Sequence, residues 1–195
     1  IELQAMPRVF FEDIQVYPDL SEKKAVVRMN VCASAVVKGE IVLSAKSFNT
    51  DINHEVAPVC RTVAIRKGDN PVEMELPMGE GFLTWDEFVP ALYRLTATLK
   101  SGKQVEERQV QFGMREFTID GKWFYVNGRK TMLRGTVENC DFPHTGYAPM
   151  DVASWERVFR ICRSYGLNHM RFHSFCPPEA AFIAADLVGF YLQPE

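Results

Sequence analysis

Phe117-Thr-Ile-Asp-Gly-Lys-Trp-Phe-Tyr-Val-Asn-Gly-Arg-Lys-Thr-Met-Leu-Arg-Gly135, then Leu167-Asn-His-Met-Arg-Phe-His173, then Phe190-Tyr-Leu-Gln-Pro-Glu195 are the stretches that decide the fold. Two segments with helical spacing separate them. In the first, Asp151 is a good N-cap, Val152, Trp155, Phe159 and Cys162 follow at 3-4-3 spacing, and Gly166 is a natural stop. Pro177-Pro178-Glu179 opens the second, with proline allowed in the first turn and glutamate favourable at the positive end. Phe182, Ala185 and Val188 or Leu187 form its expected buried stripe, and Gly189 ends it. Strand, helix, strand, helix, strand is the pattern of parallel βαβ units. Met132-Leu-Arg-Gly-Thr-Val reads as the first, buried strand of that series. In a (β/α)8 barrel the C-terminal strand ends form the active-site face. Asn127-Gly128 between apolar runs has the sequence of a type I′ hairpin turn.

Residues before about 113 read as all-β. Val9-Phe-Phe-Glu-Asp-Ile-Gln-Val-Tyr17 and Val72-Glu-Met-Glu-Leu76 alternate apolar and polar residues, as half-buried strands do. Lys24 to Cys32, Gly39 to Ala45 and Thr62 to Arg66 are further strands, the last preceding the turn Lys67-Gly-Asp-Asn-Pro71. Tyr93 to Leu99 and Val105 to Phe112 flank Lys100-Ser-Gly-Lys103, a hairpin turn. About seven short strands with frequent turns predict an immunoglobulin-like β-sandwich. The Cys…Trp…Cys arrangement of antibody domains is absent, so the expectation is of architecture only. Trp85-Asp-Glu-Phe-Val-Pro-Ala-Leu-Tyr93 reads as a loop whose Trp85 and Phe88 cap one end of that sandwich. The domains are thus a sandwich over 1–113 and an incomplete α/β, TIM-barrel-type segment over 114–195, with about three strands and two helices.

Composition excludes several classes. The apolar fraction is 47%, the charged fraction 24% and the net charge -3, which gives no electrostatic case for nucleic acid. No apolar run approaches the roughly 20 residues of a membrane helix, and the first residues lack a signal-peptide pattern. Cys32, Cys60, Cys140, Cys162 and Cys176 contain no CxxC pair; free, mostly buried thiols are expected, with a single Cys32–Cys60 disulfide as the alternative. Asp51-Ile-Asn-His-Glu55 is not a metal motif, and no nucleophile elbow, P-loop or GxGxxG occurs. No cofactor and no metal are expected.

Polar residues gather where the parallel strands end. Glu138, Asn139 and Asp141 follow the first, Arg171 and His173 end the second, and Glu195 ends the third. Carboxylates, an amide, an imidazole and a guanidinium on one face can bind sugar hydroxyls and support acid–base chemistry. Each has a plainer reading: Arg171 as half of a structural ion pair, His173 as a satisfied structural histidine, Glu138 and Asp141 as loop caps. His144 and Tyr147 lie on a long βα loop, a common place for ligand contacts.

The run Phe124-Tyr-Val-Asn-Gly-Arg-Lys-Thr-Met-Leu-Arg-Gly135, then Gly166-Leu-Asn-His-Met-Arg-Phe-His173, then Ala185-Asp-Leu-Val-Gly-Phe-Tyr-Leu-Gln-Pro-Glu195 resembles glycoside hydrolase family 2. That family includes β-galactosidases, β-glucuronidases and β-mannosidases. The resemblance implies a fragment of a retaining β-glycosidase, β-galactosidase-like, with a glycoside substrate and a periplasmic or extracellular setting. By the same resemblance Arg134-Gly135 matches the Arg-Gly of the first barrel strand, and Arg171 the strand-two arginine beside the nucleophilic carboxylate. Asn139 falls where several relatives place a substrate-contacting histidine, His173 resembles a nearby histidine, and Glu195 the acidic residue that ends strand three. The family's acid/base sits in an Asn-Glu dipeptide, which this sequence lacks, so no residue here is expected to be catalytic. The alternative is a non-catalytic carbohydrate-binding or interaction module. Three parallel strands leave two free edges, so self-association through 117–195 is also expected.

Overall fold

The computed structural model describes residues 5–195. The chain divides into two compact units, one built from residues up to Leu83 with Tyr93–Met114, the other from Thr84–Leu92 with Arg115–Glu195.

The first unit consists of strands β1 (Val9–Asp19), β2 (Lys24–Ala33), β3 (Val37–Phe48), β4 (Glu55–Ile65), β5 (Gly68–Pro77), β6 (Leu92–Ser101) and β7 (Gln104–Phe112). They form two sheets, ordered β1-β2-β5 and β4-β3-β6-β7. The alternation read from sequence is the alternation of burial: Ala25, Val27, Met29 and Val31 of β2 point inward and their neighbours outward. Ile41 and Leu43 from β3 and Leu95 and Ala97 from β6 join them in one core, so both sheets bury the same apolar cluster. The β4–β5 turn is closed by Asn70, whose side-chain oxygen accepts from Arg66 N at 2.8 Å and whose amide nitrogen donates to Arg66 O at 2.8 Å. Residues 49–54 connect β3 to β4, and His54 Nδ1 lies 2.9 Å from the Tyr93 hydroxyl. All five cysteines are free, and none is fully buried; Cys60 and Cys176 are exposed, against the expectation of mostly buried thiols.

The second unit begins its long stretch with a small antiparallel sheet, β8 (Phe117–Asp120), β9 (Trp123–Val126) and β10 (Arg129–Thr131). Asn127 and Gly128 both take positive φ, 52° and 72°, as a type I′ turn requires. Then come β11 (Gly135–Glu138), α1 (Val152–Ser164), β12 (His169–Phe172), α2 (Glu179–Val188) and β13 (Tyr191–Gln193). The three strands are parallel in the order β11-β12-β13, with Gly135 opposite His169 and His169 opposite Tyr191.

Both helices form as their sequences dictate. Asp151 accepts from Ser154 N at 2.8 Å at the start of α1, and Gly189 takes φ 74° at the end of α2. Trp155 and Phe159 of α1 pack with Met170 and Phe172 of β12, with Phe190, and with Ala181, Ala184 and Ala185 of α2. Alanines on α2 let the two helices approach closely. The aromatic rings stack, Phe159 on Phe190 at 4.9 Å between centroids. Because Met170 and Phe172 face the helices, Arg171 lies on the opposite face of the sheet.

Two expectations are corrected here. Trp85 belongs to the second unit. It is 1% exposed within the second, donates from Nε1 to Asp186 O at 2.7 Å and meets Tyr191 edge-on at 5.7 Å, while Phe88 is 61% exposed. A tryptophan between two strands reads equally as a cap for either unit, and only the position of α2 decides. The stretch Met132 to Val137 is also less buried than its composition implied, and so is Phe182 in the α2 stripe, whose Ala185 and Val188 are buried as expected. Met132 is 61% exposed, Val137 49% and Phe182 36%.

Phe159→Ala removes the ring on which Trp155 and Phe190 stack, and should cost the second unit about 3–5 kcal/mol. Denaturant melts that follow hydrogen exchange of α1 amides measure this; a loss under about 1 kcal/mol would contradict the packing described.

Candidate active site at the ends of the parallel strands

The C-terminal ends of β11, β12 and β13 bring four of the six candidate residues together. His173 N donates to Glu138 O at 2.9 Å, extending the β11–β12 ladder by one rung. Arg171 Nε donates to Glu195 Oε1 at 2.6 Å. The second oxygen of Glu195 accepts from Ser174 N at 3.2 Å, and Ser174 takes φ 55°, which turns its N–H toward the carboxylate. Glu195 is thereby held below the usual glutamate range, first by the Arg171 hydrogen bond and then by the Ser174 N–H; the charge of His173 adds a smaller pull. An ionised carboxylate is an acceptor, not a proton donor, so Glu195 as placed orients Arg171 and accepts hydrogen bonds.

Glu138 serves its own loop. Its Oε1 accepts from Cys140 N at 2.9 Å, and Cys140 takes φ 61°, so the chain reverses tightly after β11. Burial and the Glu138 charge push the Cys140 thiol up, keeping it protonated. Asn139 and Asp141 are exposed on the same loop, and among the described residues neither bonds to the other four. His144 and Tyr147 are also exposed; their loop closes on itself through Gly146 N to Phe142 O at 2.7 Å and Thr145 Oγ1 to Tyr147 O at 2.7 Å. Arg171 uses one of its five N–H donors on Glu195, and its guanidinium with the exposed His173 imidazole can donate to ligand hydroxyls. Arg171 is thus half of an ion pair, and its partner is a residue of the same face.

At the opposite strand ends lies a buried polar network that the sequence reading missed. Asn168, 2% exposed, precedes β12. Its Oδ1 accepts from Arg134 N at 2.7 Å, and its Nδ2 donates to Met132 O at 3.0 Å and to Glu87 Oε2 at 2.9 Å. Glu87, 6% exposed, also pairs with Arg134 Nη2 at 3.0 Å. Arg134 Nε further donates to Gly166 O at 2.8 Å. Asp86 shapes the stretch carrying Glu87, its Oδ1 accepting from Phe88 N and Val89 N at 2.7 and 2.9 Å. The nearby Tyr191 hydroxyl is pushed up to about 12, first by burial and next by the Glu87 carboxylate. The one available signal was Arg134 itself, a charge entering a strand and in need of a partner.

In the first unit, the ligand atoms of Glu12, Cys32 and Asp69 lie within 4.8 Å of one another. Cys32 Sγ donates to Asp69 Oδ1 at 3.0 Å, and that bond pushes the thiol up to about 11.

The lowered Glu195 value carries a sign. Its favourable contribution is fully present above the unfolded-state value and is lost as pH falls through the folded-state value. Carboxyl titration by NMR should place the Glu195 midpoint below that of an ordinary glutamate, and Arg171→Met should move it up. An unshifted midpoint in the wild type would contradict the Arg171–Glu195 pair.

The comparisons with known proteins agree with this architecture. The family model described as "Glycosyl hydrolases family 2" matches residues 9–115. A β-galactosidase of Thermoanaerobacter pseudethanolicus is 27% identical over 171 residues, 85% of this chain and 22% of that protein. The crystal structure of the Parabacteroides merdae β-glucuronidase superposes with a TM-score of 0.76 at 24% identity, covering 96% of this chain and 24% of that one. A family 2 member from Bacteroides cellulosilyticus gives 0.79 at 20% identity, covering 95% and 26%. The chain therefore spans about a quarter of the length of these relatives. No helix among the described residues is long and apolar enough to cross a membrane. With the family match running over more than half of its residues, this chain belongs to glycosyl hydrolase family 2.

Proposed function

We propose that this chain is the part of a β-glycosidase in which an immunoglobulin-like sandwich, residues 1–113, leads into the first three strands and two helices of a (β/α)8 catalytic barrel, residues 114–195. Glu138, Arg171, His173 and Glu195, with Asn139 and Asp141 on the adjoining loop, bind the glycoside. The observation that carries this reading is the parallel sheet with Arg171 and Glu195 paired at its C-terminal ends. Retaining hydrolysis requires two carboxylates about 5–5.5 Å apart, one of them able to give up a proton. Glu195 is committed to Arg171 and Ser174, and no Asn-Glu dipeptide is present, so the reaction belongs to a longer protein and this chain binds sugar without cleaving it. The β-galactosidase among its relatives makes a β-galactoside the first substrate to test. Such an enzyme works on polysaccharide-derived glycosides in the periplasm or outside the cell.

The same unit exposes Phe117, Ile119, Met132, Val137 and Phe182. At roughly 25 cal/mol per Å², covering a few hundred Å² of such surface is worth several kcal/mol. The isolated chain is therefore expected to self-associate through 117–195. Light scattering at micromolar concentration should report more than one chain, and a monomer that binds no hydrophobic dye would contradict this.

Nitrophenyl β-galactoside, β-glucuronide and β-mannoside should show no turnover above buffer with this chain. Galactose at millimolar concentration should shift the NMR side-chain signals of Arg171 and His173, and Arg171→Met should abolish the His173 shift. Turnover that disappears in Glu138→Gln or Glu195→Gln, or galactose shifts confined to residues 9–83, would overturn the assignment.

A further inference from the structure

We infer that Glu87 is a positioning residue for the candidate active site, acting through Asn168 on the register of the three parallel strands. These strands are short: β11 and β12 have four residues each and β13 three. So few ladder bonds fix register weakly, and a slip of one residue would send Arg171 to the helix-covered face. The Asn168 network supplies what the ladder lacks. Asn168 N donates to Arg134 O at 2.9 Å, its own carbonyl accepts from Tyr191 N at 2.8 Å, and its side chain holds Arg134 N and Met132 O. One buried asparagine thus ties the start of all three strands. Its remaining amide hydrogen needs an acceptor, and Glu87 provides it from a stretch 81 residues earlier in sequence. Arg134 and Asn168 both bond Oε2 of the buried carboxylate, so these bonds close together only in this register. Buried polar groups of this kind are best attested as devices that select one register among several.

What the far strand ends do rests on the function proposed above, but the positioning itself is read without substrate. In Glu87→Ala, NMR-detected exchange of the His173 and Ser174 amides should accelerate by about tenfold or more, while Phe159 and Ala184 in the helices keep wild-type rates. The Glu195 carboxyl midpoint should rise with it, reporting a loosened Arg171 pair. Glu87→Gln, whose amide oxygen still accepts from Asn168, should fall between. Arg129→Ala, which removes the Asp86 ion pair and the cation–π contact with Phe88 in the same stretch but leaves the Glu87 bonds in place, should change neither readout. Wild-type exchange at His173 and Ser174 in Glu87→Ala overturns the inference. So does an equal acceleration at Phe159 and Ala184, which would make Glu87 a general stabiliser. Should Glu87→Ala fail to fold, Glu87→Gln carries the same test: a smaller acceleration confined to His173 and Ser174 supports it, and none or a uniform one overturns it.

Discussion

A buried carboxylate cannot stand alone. Removing it from water costs several kcal/mol unless charge and hydrogen bonds compensate, and breaking a buried pair on one side is correspondingly damaging. Glu87 meets this constraint with Arg134 at 3.0 Å and Asn168 at 2.9 Å. The consequence reaches beyond the pair. Asn168 is committed to Arg134 N, Met132 O and Glu87 at once, and its backbone joins the starts of β11 and β13. The parallel sheet is therefore anchored where its strands begin, and the alternation of side chains fixes what each strand presents at its other end.

What it presents is a polar face over an apolar one. Met170 and Phe172 point into the aromatic and alanine-lined helix layer, so the residue between them must face away. That residue is Arg171, and the register that sets it opposite Gln193 brings it within reach of Glu195. The chain reversals at Cys140 and Ser174, both at positive φ, leave Glu138 and Glu195 each accepting from a backbone N–H. Two carboxylates on one face thus receive different assignments from backbone geometry, one closing its own loop and one orienting a guanidinium.

Much of this was legible in sequence. Period-2 alternation located the strands of the first unit, Asn127-Gly128 located a hairpin, and Asp151, Gly166 and Gly189 bounded the helices, because each signal is local chemistry. The parallel order and the gathering of Glu138, Arg171, His173 and Glu195 followed from βαβ connectivity. Trp85 and Glu87 were not legible. Their stretch lies between two sandwich strands in sequence, and the partners Asp186 and Asn168 lie 101 and 81 residues away, respectively. Nothing local in Trp85-Asp-Glu-Phe-Val-Pro distinguishes a loop that caps its own sheets from one that completes another unit. Phe182 misled for a related reason: helical spacing marks an apolar face, but the alanines beside it are small enough to take the core position.

Hydrogen-bond scalar couplings measured by NMR across the parallel sheet test the register on which all of this depends. Couplings are predicted from Asn168 N to Arg134 O, from Tyr191 N to Asn168 O and from His173 N to Glu138 O. The same set displaced by one residue, or the absence of the Tyr191 coupling while the other two persist, would contradict the strand register and with it the placement of Arg171 beside Glu195.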